Sequence, residues 1–366
     1  MTRVAVLGAG NGGFAAAADL THRDHEVTLW NRGAAPIEAV AEAGGIDYEG
    51  VFGSGFASVH ATTSLAEAVR GTDAILVCLP ALVHDALASA LAGHVRPGTP
   101  IVLDPGGMLG SLAFAHRLRE SGQRGPIRIG ETGTLSYICR KTGPTGINVT
   151  SVATGLAFAA LPSMDTPGLL AEVEPFLPGL TPVEDTLAAG LTSINMVLHP
   201  PAMILAAAWI ERTEGDFFYY YDTAVPSVAR LMATLDGERL AIAAAWGMPA
   251  EPFLEVFARI GSTSPEAAAS GDFRRALEES HPNRYIRAPK SLDDRYMQED
   301  IPFAVVPLAE LGRLAGVATP ILDAIVTLAS TIAGKDFRAH GRTLESIGQG
   351  GRSMEQLLEA LRQRRP

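Results

Sequence analysis

Residues 4–32, VAVLGAGNGGFAAAADLTHRDHEVTLWNR, constrain the fold more than any other stretch of the chain. The apolar run Val4–Leu7 stops at Gly8-Ala9-Gly10-Asn11-Gly12-Gly13. A helix of small residues follows, and then a second apolar run, Val27–Trp30. That order predicts a strand, a glycine turn, a helix and a strand. Gly8 permits the tight turn, Gly10 has no side chain to block a pyrophosphate, and Gly13 lets the helix pack close to the strand. The helix N-terminus directs free N–H groups at an anion. Asn11 and Gly12 complete the loop. The pattern predicts dinucleotide binding, and a glycine turn without a ligand is the alternative reading.

The second strand ends in Trp30-Asn31-Arg32. A site for NAD usually carries Asp or Glu here, about 20 residues past the glycines, to bind the ribose 2′-OH. That carboxylate would repel a 2′-phosphate. Asn31 is uncharged and Arg32 offers a cationic fork, so the expectation is NADP(H) in preference to NAD(H). The competing reading makes Arg32 a solvated surface arginine.

With 366 residues the chain exceeds one domain's usual share. Hydrophobic content of 47% suffices for two cores, and a formal net charge of −11 argues against nucleic acid as a partner. Cys78 and Cys139 show no metal spacing. Cys78 lies in an apolar strand pattern, which favours a buried reduced thiol. The first apolar run is a strand without a basic leader, so a cytoplasmic protein is expected. Leu187–Ile210 holds 24 residues without a formal charge, long enough to cross a bilayer. It also contains Thr192, Ser193, Asn195, His199 and Pro200-Pro201. Those polar groups and the proline break point to a helix buried in protein, not to a membrane span. The apolar helices could pack within one chain or between two, which leaves a homodimer open. The tail Arg362-Gln363-Arg364-Arg365 reads as solvated.

Up to about residue 165, short apolar runs alternate with helical patterns, the signature of a parallel sheet wrapped by helices. The runs are Val4–Leu7, Val27–Trp30, Ala74–Leu79, Ile101–Leu103 and Ile127–Ile129, with Ser151–Leu161 as a last strand and Leu65–Arg70 as a helix. Pro80 follows the third run, at a strand end where ligands bind. Asp104-Pro105-Gly106-Gly107 is a turn. From Thr166 helical stretches take over: Pro167–Phe176, Thr186–Arg212, Ala224–Ala245, Glu251–Ile260, Ile301–Leu314, Pro320–Ile332 and Ser353–Arg364. His281–Glu299 reads as a long ordered loop of the kind that often carries function. The expected architecture is an α/β Rossmann domain, a doubly wound parallel sheet, over residues 1–165, and an all-α domain over 166–366.

Substrate chemistry should come from the second half. Asn195 and His199 lie four apart on one helix face, and Pro200 disfavours helix at His199, so a break there could project the imidazole into a cleft. A satisfied core histidine is the competing reading. Asp293–Pro302, DDRYMQEDIP, brings acids beside Arg295. Asp300 makes a plausible helix cap. Alternatively, it holds a histidine in one tautomer while Arg295 clamps a carboxylate. A third patch, Glu131–Arg140, follows a sheet strand. Its hydroxyls and Arg140 could bind polar substrate groups, or the loop could simply bond to its own backbone. Met196, Met203, Trp209 and Tyr219–Tyr221 could line a pocket, although such spacing more often marks core.

Together these patches resemble the octopine/nopaline (opine) dehydrogenase family over nearly the whole chain. The resemblance rests on G-A-G-N-G-G at the start, E-T-x-T-L-x-Y-x-C-R at Glu131–Arg140 and N-x-x-x-H-P at Asn195–Pro200. It continues through R-Y-x-x-E-D-x-P at Arg295–Pro302, G-V-x-T-P at Gly316–Pro320 and G-R-T-L at Gly341–Leu344. The closing motifs also occur in other two-domain dehydrogenases. The resemblance implies condensation of an amino acid's amine with a 2-oxo acid such as pyruvate, and reduction of the imine by NAD(P)H. It implies His199 as the acid/base residue, Asp300 as its partner and Arg295 as the carboxylate ligand. Thr134 would contact the oxo-acid end. Closure of one domain on the other would assemble such a site.

The residues suit that chemistry, because imine formation needs a proton donor for the departing hydroxyl and histidine titrates near working pH. The closest rival is a two-domain reductase of a 2-hydroxy acid, a sugar phosphate or a ketopantoate-like carbonyl, several of which use lysine. Lysine is confined here to Lys141, Lys290 and Lys335, none in an apolar helix where burial could lower its pKa. A non-catalytic NADP-binding sensor would need the first domain but no His–Asp pair.

Overall fold

The computed structural model describes residues 1–363. Its first part runs β1 (Arg3–Leu7), α1 (Asn11–His22), β2 (Glu26–Trp30), β3 (Gly45–Gly50), β4 (Gly55–Ser58), β5 (His60–Thr62), β6 (Ala74–Val77) and β7 (Pro100–Leu103). β8 (Arg128–Thr132), β9 (Tyr137–Lys141), β10 (Gly146–Val152), β11 (Leu156–Leu161) and β12 (Leu180–Pro182) follow. An eight-stranded sheet has the order β12-β11-β8-β7-β6-β1-β2-β5. Its pairings are parallel except β11 with β8. Both faces are covered, which is why the strands read as continuous apolar runs. Val4, Val6, Leu29 and Phe14 sit in the core on one face, and Ala5, Leu7, Val77 and Phe114 in the core on the other.

A second, four-stranded sheet, β4-β3-β10-β9, has no counterpart in the sequence expectation. It converts the predicted strand Ser151–Leu161 into two: β10 ends at Val152, Gly155 turns the chain at φ +67°, and β11 starts in the other sheet. It also orders the patch Glu131–Arg140, whose ends lie in β8 and β9 rather than in a loop. The Tyr137 hydroxyl of β9 donates to the buried Asp19 carboxylate of α1 at 3.0 Å, tying this sheet to the helix after the glycine turn.

The chain divides into two compact units, residues 1–190 with the segment from Leu358, and Leu191–Leu357. The boundary therefore falls 25 residues later than the expected 165/166. The cause is β12: three residues, LTP, too short to show a strand period, add in parallel to β11 and keep the helix Thr166–Val173 with the sheet. Arg362 is not a solvated tail residue, because its guanidinium pairs with Glu184 at 2.7 Å and Asp185 at 3.1 Å. Arg364 and Arg365 lie outside the described residues.

The second unit is helical. The expected long helix Thr186–Arg212 is interrupted at Thr192-Ser193, with Asn195–Leu198, Pro200–Leu205 and Ala207–Thr213 following. Its apolar stretch Thr186–Leu205 is 78% buried. Pro226–Ala245, Phe253–Arg259, Val306–Leu314, Pro320–Ala333 and Met354–Arg362 match the remaining predicted helices. Short helices at Tyr219–Asp222, Pro265–Ala269 and Phe273–Glu278 were not legible. The loop expected over His281–Glu299 contains one turn of helix, Arg295–Gln298, capped by the Asp294 side chain.

One buried acid gives the first unit a testable pH dependence. Asp104, at the end of β7, is fully buried and accepts bonds from Thr132, the Ser136 hydroxyl and the Ser136 N–H. Burial outweighs those bonds and pushes its carboxyl from 3.8 to about 6. A raised carboxyl stabilises the fold only while protonated. Its contribution is full below about pH 3.9 and is lost as the pH rises through about 6; the gap is worth about 3 kcal/mol. Asp104→Asn should therefore gain stability relative to the parent as the pH rises from 4 to 7. Parallel thermal-melting curves for the two proteins over that range would refute this.

Candidate active site

In the first unit the glycine loop has the geometry that a phosphate needs. Gly8 adopts φ +118°, and a Cβ there would lie 2.6 Å from the Cys78 carbonyl oxygen. A Cβ on Gly13 would lie 1.7 Å from the Gly8 carbonyl oxygen, so only glycine permits this strand–helix approach. A Cβ on Gly10 would meet no atom within 4 Å, which leaves open space in front of the helix N-terminus. Leu135 packs over Gly12 from the turn after β8. Asn11 does not face a ligand with its side-chain oxygen; Oδ1 accepts the Lys141 N–H of β9 at 2.9 Å. The cradle fits a dinucleotide.

At the end of β2 lies a cavity of about 500 Å³ lined by Trp30, Asn31, Arg32, Leu65, Leu79 and Leu87. Asn31 is occupied with shaping the loop: its Oδ1 accepts the Ala9 N–H at 3.3 Å and its Nδ2 donates to the Gly33 carbonyl at 3.0 Å. Arg32 is exposed and makes no ion pair among the described residues. Pro80 lies at the end of β6, directly before the turn Ala81–Val83. Thr134 is half-buried, and Arg140 is exposed on β9. Lys141 is half-buried with its ammonium 3.4 Å from the centroid of the Phe14 ring, and burial lowers its pKa. None of the three lysines lies in an apolar helix, as expected, but the strand β9 half-buries this one.

In the second unit the structure brings His199 and Asp300 together across 101 residues of sequence. The imidazole Nδ1 lies 2.6 Å from Asp300 Oδ2. Asp300 is no helix cap: its backbone is already helical and its side chain makes no cap bond. A single wide turn, Ile301–Val305, follows it, a form that tends to occur at functional sites. His199 is not at a sharp break either. Its N–H donates to the Asn195 carbonyl at 2.9 Å and its carbonyl accepts the Met203 N–H at 3.0 Å, so the helical path passes through it. The side chain is held inside rather than projected, with His199 only 5% exposed. Asn195 lies one turn earlier and is half-buried. Arg295 is exposed, its Nε 3.6 Å from Glu299.

Two tyrosines complete the cluster. Tyr220 places its hydroxyl 2.9 Å from His199 Nε2, and Tyr296 places its own 2.9 Å from that of Tyr220. The Tyr296 ring stacks on the imidazole at 3.9 Å. Tyr219 donates to the His199 carbonyl at 2.8 Å. Burial raises all three phenols, keeping them protonated, although the Tyr220 hydroxyl bond opposes this at Tyr296. Sequence reasoning offered Tyr220 only as pocket lining or core and gave Tyr296 no role. Tyr220 stood in a run that reads as core, and Tyr296 stood unremarked inside R-Y-x-x-E-D-x-P.

A parallel sheet with a dinucleotide cradle and a helical unit with a His–Asp pair define a nicotinamide-dependent oxidoreductase of two units. Residues 182–333 match the family described as NAD/NADP octopine/nopaline dehydrogenase, alpha-helical domain, and residues 4–127 match ketopantoate reductase PanE/ApbA. An opine dehydrogenase of Arthrobacter sp. (strain 1C) is 36% identical over 348 residues, covering 95% of each chain. The vitopine synthase of Allorhizobium ampelinum is 26% identical over 99% of each chain. The structure of an octopine dehydrogenase with NADH and L-arginine superposes with a TM-score of 0.76 over 100% of both chains at 18% identity. An NADP+-bound yersinopine dehydrogenase gives 0.70 at 14% identity, over 99% of this chain and 97% of that one. The chain belongs to the opine dehydrogenase family.

Proposed function

We propose that the protein catalyses the NADPH-dependent, reversible condensation of an amino acid with a 2-oxo acid such as pyruvate through an imine. The bond of 2.6 Å between His199 Nδ1 and Asp300 carries this reading. It fixes the tautomer, leaves Nε2 for proton exchange, and stabilises the imidazolium that forms. The bound nicotinamide supplies the hydride. The chain's own residues hold it through Gly8, Gly10, Gly12, Gly13 and the α1 N-terminus, with Asn11 and Pro80 shaping the walls. Arg295 binds a substrate carboxylate, with Thr134, Asn195 and Arg140 as further polar contacts. The exposed guanidinium of Arg295, beside Glu299 but not locked to it, supports that role.

Two features support a preference for NADPH: Arg32 is exposed and belongs to the lining of the cavity beside β2, and no carboxylate is part of that lining. Arg32→Ala should lower kcat/KM for NADPH by about 10–100-fold, the worth of a charge-assisted hydrogen bond. It should leave NADH turnover nearly unchanged. Equal losses with both cofactors would remove Arg32 from the 2′-phosphate site.

NADPH oxidation measured with pyruvate alone and with a panel of amino acids tests the reaction, with products identified by mass spectrometry. Oxidation only in the presence of an amine, yielding an N-(carboxyalkyl) amino acid, is expected. A second reading, a lysine-dependent carbonyl reductase, draws on the half-buried Lys141. It predicts oxidation without any amine, and loss of that activity in Lys141→Ala.

A further inference from the structure

The G-R-T-L stretch at Gly341–Leu344 has no part in the chemistry above, yet it runs against the turn that follows Asp300. That wide turn, Ile301–Val305, is closed by the Val306 N–H, which reaches back to the Ile301 carbonyl. In an ordinary α-helix the same N–H would bond to Pro302, one residue nearer. Two carbonyls therefore compete for one donor. Wide spacing would pair the Pro302 carbonyl with residue 307, but Pro307 has no N–H. Pro302 is buried and takes its bond from outside the helix: the Arg342 N–H donates to its carbonyl at 2.8 Å.

Glycine at 341 permits this approach. A Cβ there would lie 2.8 Å from the Pro302 carbonyl oxygen and 2.5 Å from that of Phe337. The Arg342 side chain is buried, with its guanidinium carbon 5.5 Å from the centroid of the Phe303 ring in the same wide turn. The strap is pinned on both sides of that contact. The Phe337 N–H donates to Ser330 Oγ at 3.2 Å on the helix Pro320–Ala333. The Leu344 N–H donates to Glu310 Oε2 at 2.5 Å on the helix Val306–Leu314.

We propose that Gly341 and Arg342 are positioning residues for the His199–Asp300 pair: by occupying the Pro302 carbonyl they hold the turn in its wide register, and that register sets the Asp300 carboxylate against His199 Nδ1. The inference rests on the role given to Asp300 in the reaction proposed above. Without the Arg342 N–H, the Val306 N–H can pass from Ile301 to Pro302, and the turn tightens to α-helical spacing. The segment before it then rotates by roughly 100° about the helix axis, the angle of one residue. That segment gives way because it is a single turn, Arg295–Gln298, whereas Val306–Leu314 is anchored by buried Leu308, Ala309 and Leu311. A bond of 2.6 Å between Asp300 and Nδ1 does not survive such a rotation.

Gly341→Ala tests this, because the added methyl pushes the strap off Pro302. With the imine reaction as the assay, kcat should fall by about 10²-fold, the cost of a catalytic group misplaced by about 1 Å. KM for the amine and for NADPH should move by less than about threefold. Adding Gly341→Ala to Asp300→Asn should cost less than about threefold more than Asp300→Asn alone, since both act through one carboxylate. A general loss of structure would instead multiply the two effects. The proton between Nδ1 and Asp300 gives a second readout. Its downfield NMR resonance should move upfield or vanish in Gly341→Ala, as it should in Asp300→Asn. Parental kcat in a folded Gly341→Ala, multiplicative losses or an unmoved resonance would overturn the proposal. If Gly341→Ala does not fold, Glu310→Ala, which frees only the Leu344 end of the strap, takes its place. The same resonance should move upfield there, and an unmoved one would again overturn the proposal. If the parent protein turns over no amine with pyruvate, the imine reading fails separately, and the resonance alone decides whether the strap places Asp300.

Discussion

His199→Ala should lower kcat by about 10²–10⁴-fold, the usual worth of a positioned general acid–base. Substrate binding should change far less, because the side chain is 5% exposed and its ring nitrogens face Asp300 and Tyr220. Asp300→Asn should act through the same step. Asparagine can still accept from Nδ1, but it carries no charge to stabilise an imidazolium. If its amide turns toward the ring, it forces the other tautomer. The double variant should be about as slow as His199→Ala alone. Steady-state kinetics with pyruvate and the best amine from the panel decide this. Multiplicative losses, or a His199→Ala enzyme within threefold of the parent, would place the proton chemistry elsewhere.

Arg239→Ala should destabilise the second unit by about 3–5 kcal/mol, the cost of breaking a buried ion pair by removing one partner. Arg239 is fully buried on the helix Pro226–Ala245. Its Nε and Nη2 donate to Asp236 Oδ1 at 2.8 and 2.7 Å, Nη1 donates to the Leu191 carbonyl at 2.8 Å, and Nη2 donates to the Glu251 carbonyl at 2.6 Å. Asp236 uses its other oxygen to accept the Phe253 N–H at 2.8 Å. Truncation strands the Asp236 charge and two carbonyls away from water. Replacing both members, Arg239→Met with Asp236→Leu, should cost less than Arg239→Ala, because no charge is then left unpaired. Urea unfolding of the three proteins measures both. A loss under about 1 kcal/mol for Arg239→Ala would mean that water reaches Asp236.

Much of the first unit was legible because its signals are local. The runs at Val4–Leu7, Val27–Trp30 and Ile101–Leu103 are strands buried on both faces, and such strands announce themselves without reference to the rest of the chain. The four-stranded sheet was not legible. β3 is GIDYEG and β4 is GFAS, sequences whose strand character comes from pairing with β10 and with each other rather than from an apolar run. The same holds for β12, which moved the boundary between the units. At the site, motif spacing singled out His199, Asp300 and Arg295. It named Tyr220 only as pocket lining or core, because a run of three tyrosines has no period that distinguishes a hydrogen-bonding hydroxyl from core packing.

The sequence by itself determined the glycine cradle, since φ at Gly8 and the approach at Gly13 are decided by backbone sterics within a few residues. It also determined the helical character of the second half and the residue types available for acid–base work. Only the tertiary structure decided which atoms meet. Asp300 lies 101 residues from His199 and Tyr296 lies 76 from Tyr220, and no local rule sets a distance of 2.6 or 2.9 Å across such separations. Packing of the helix through His199 against Asp300 and the tyrosines turned a plausible cap into a histidine's partner. The same packing set the Tyr220 hydroxyl against Nε2 of that histidine.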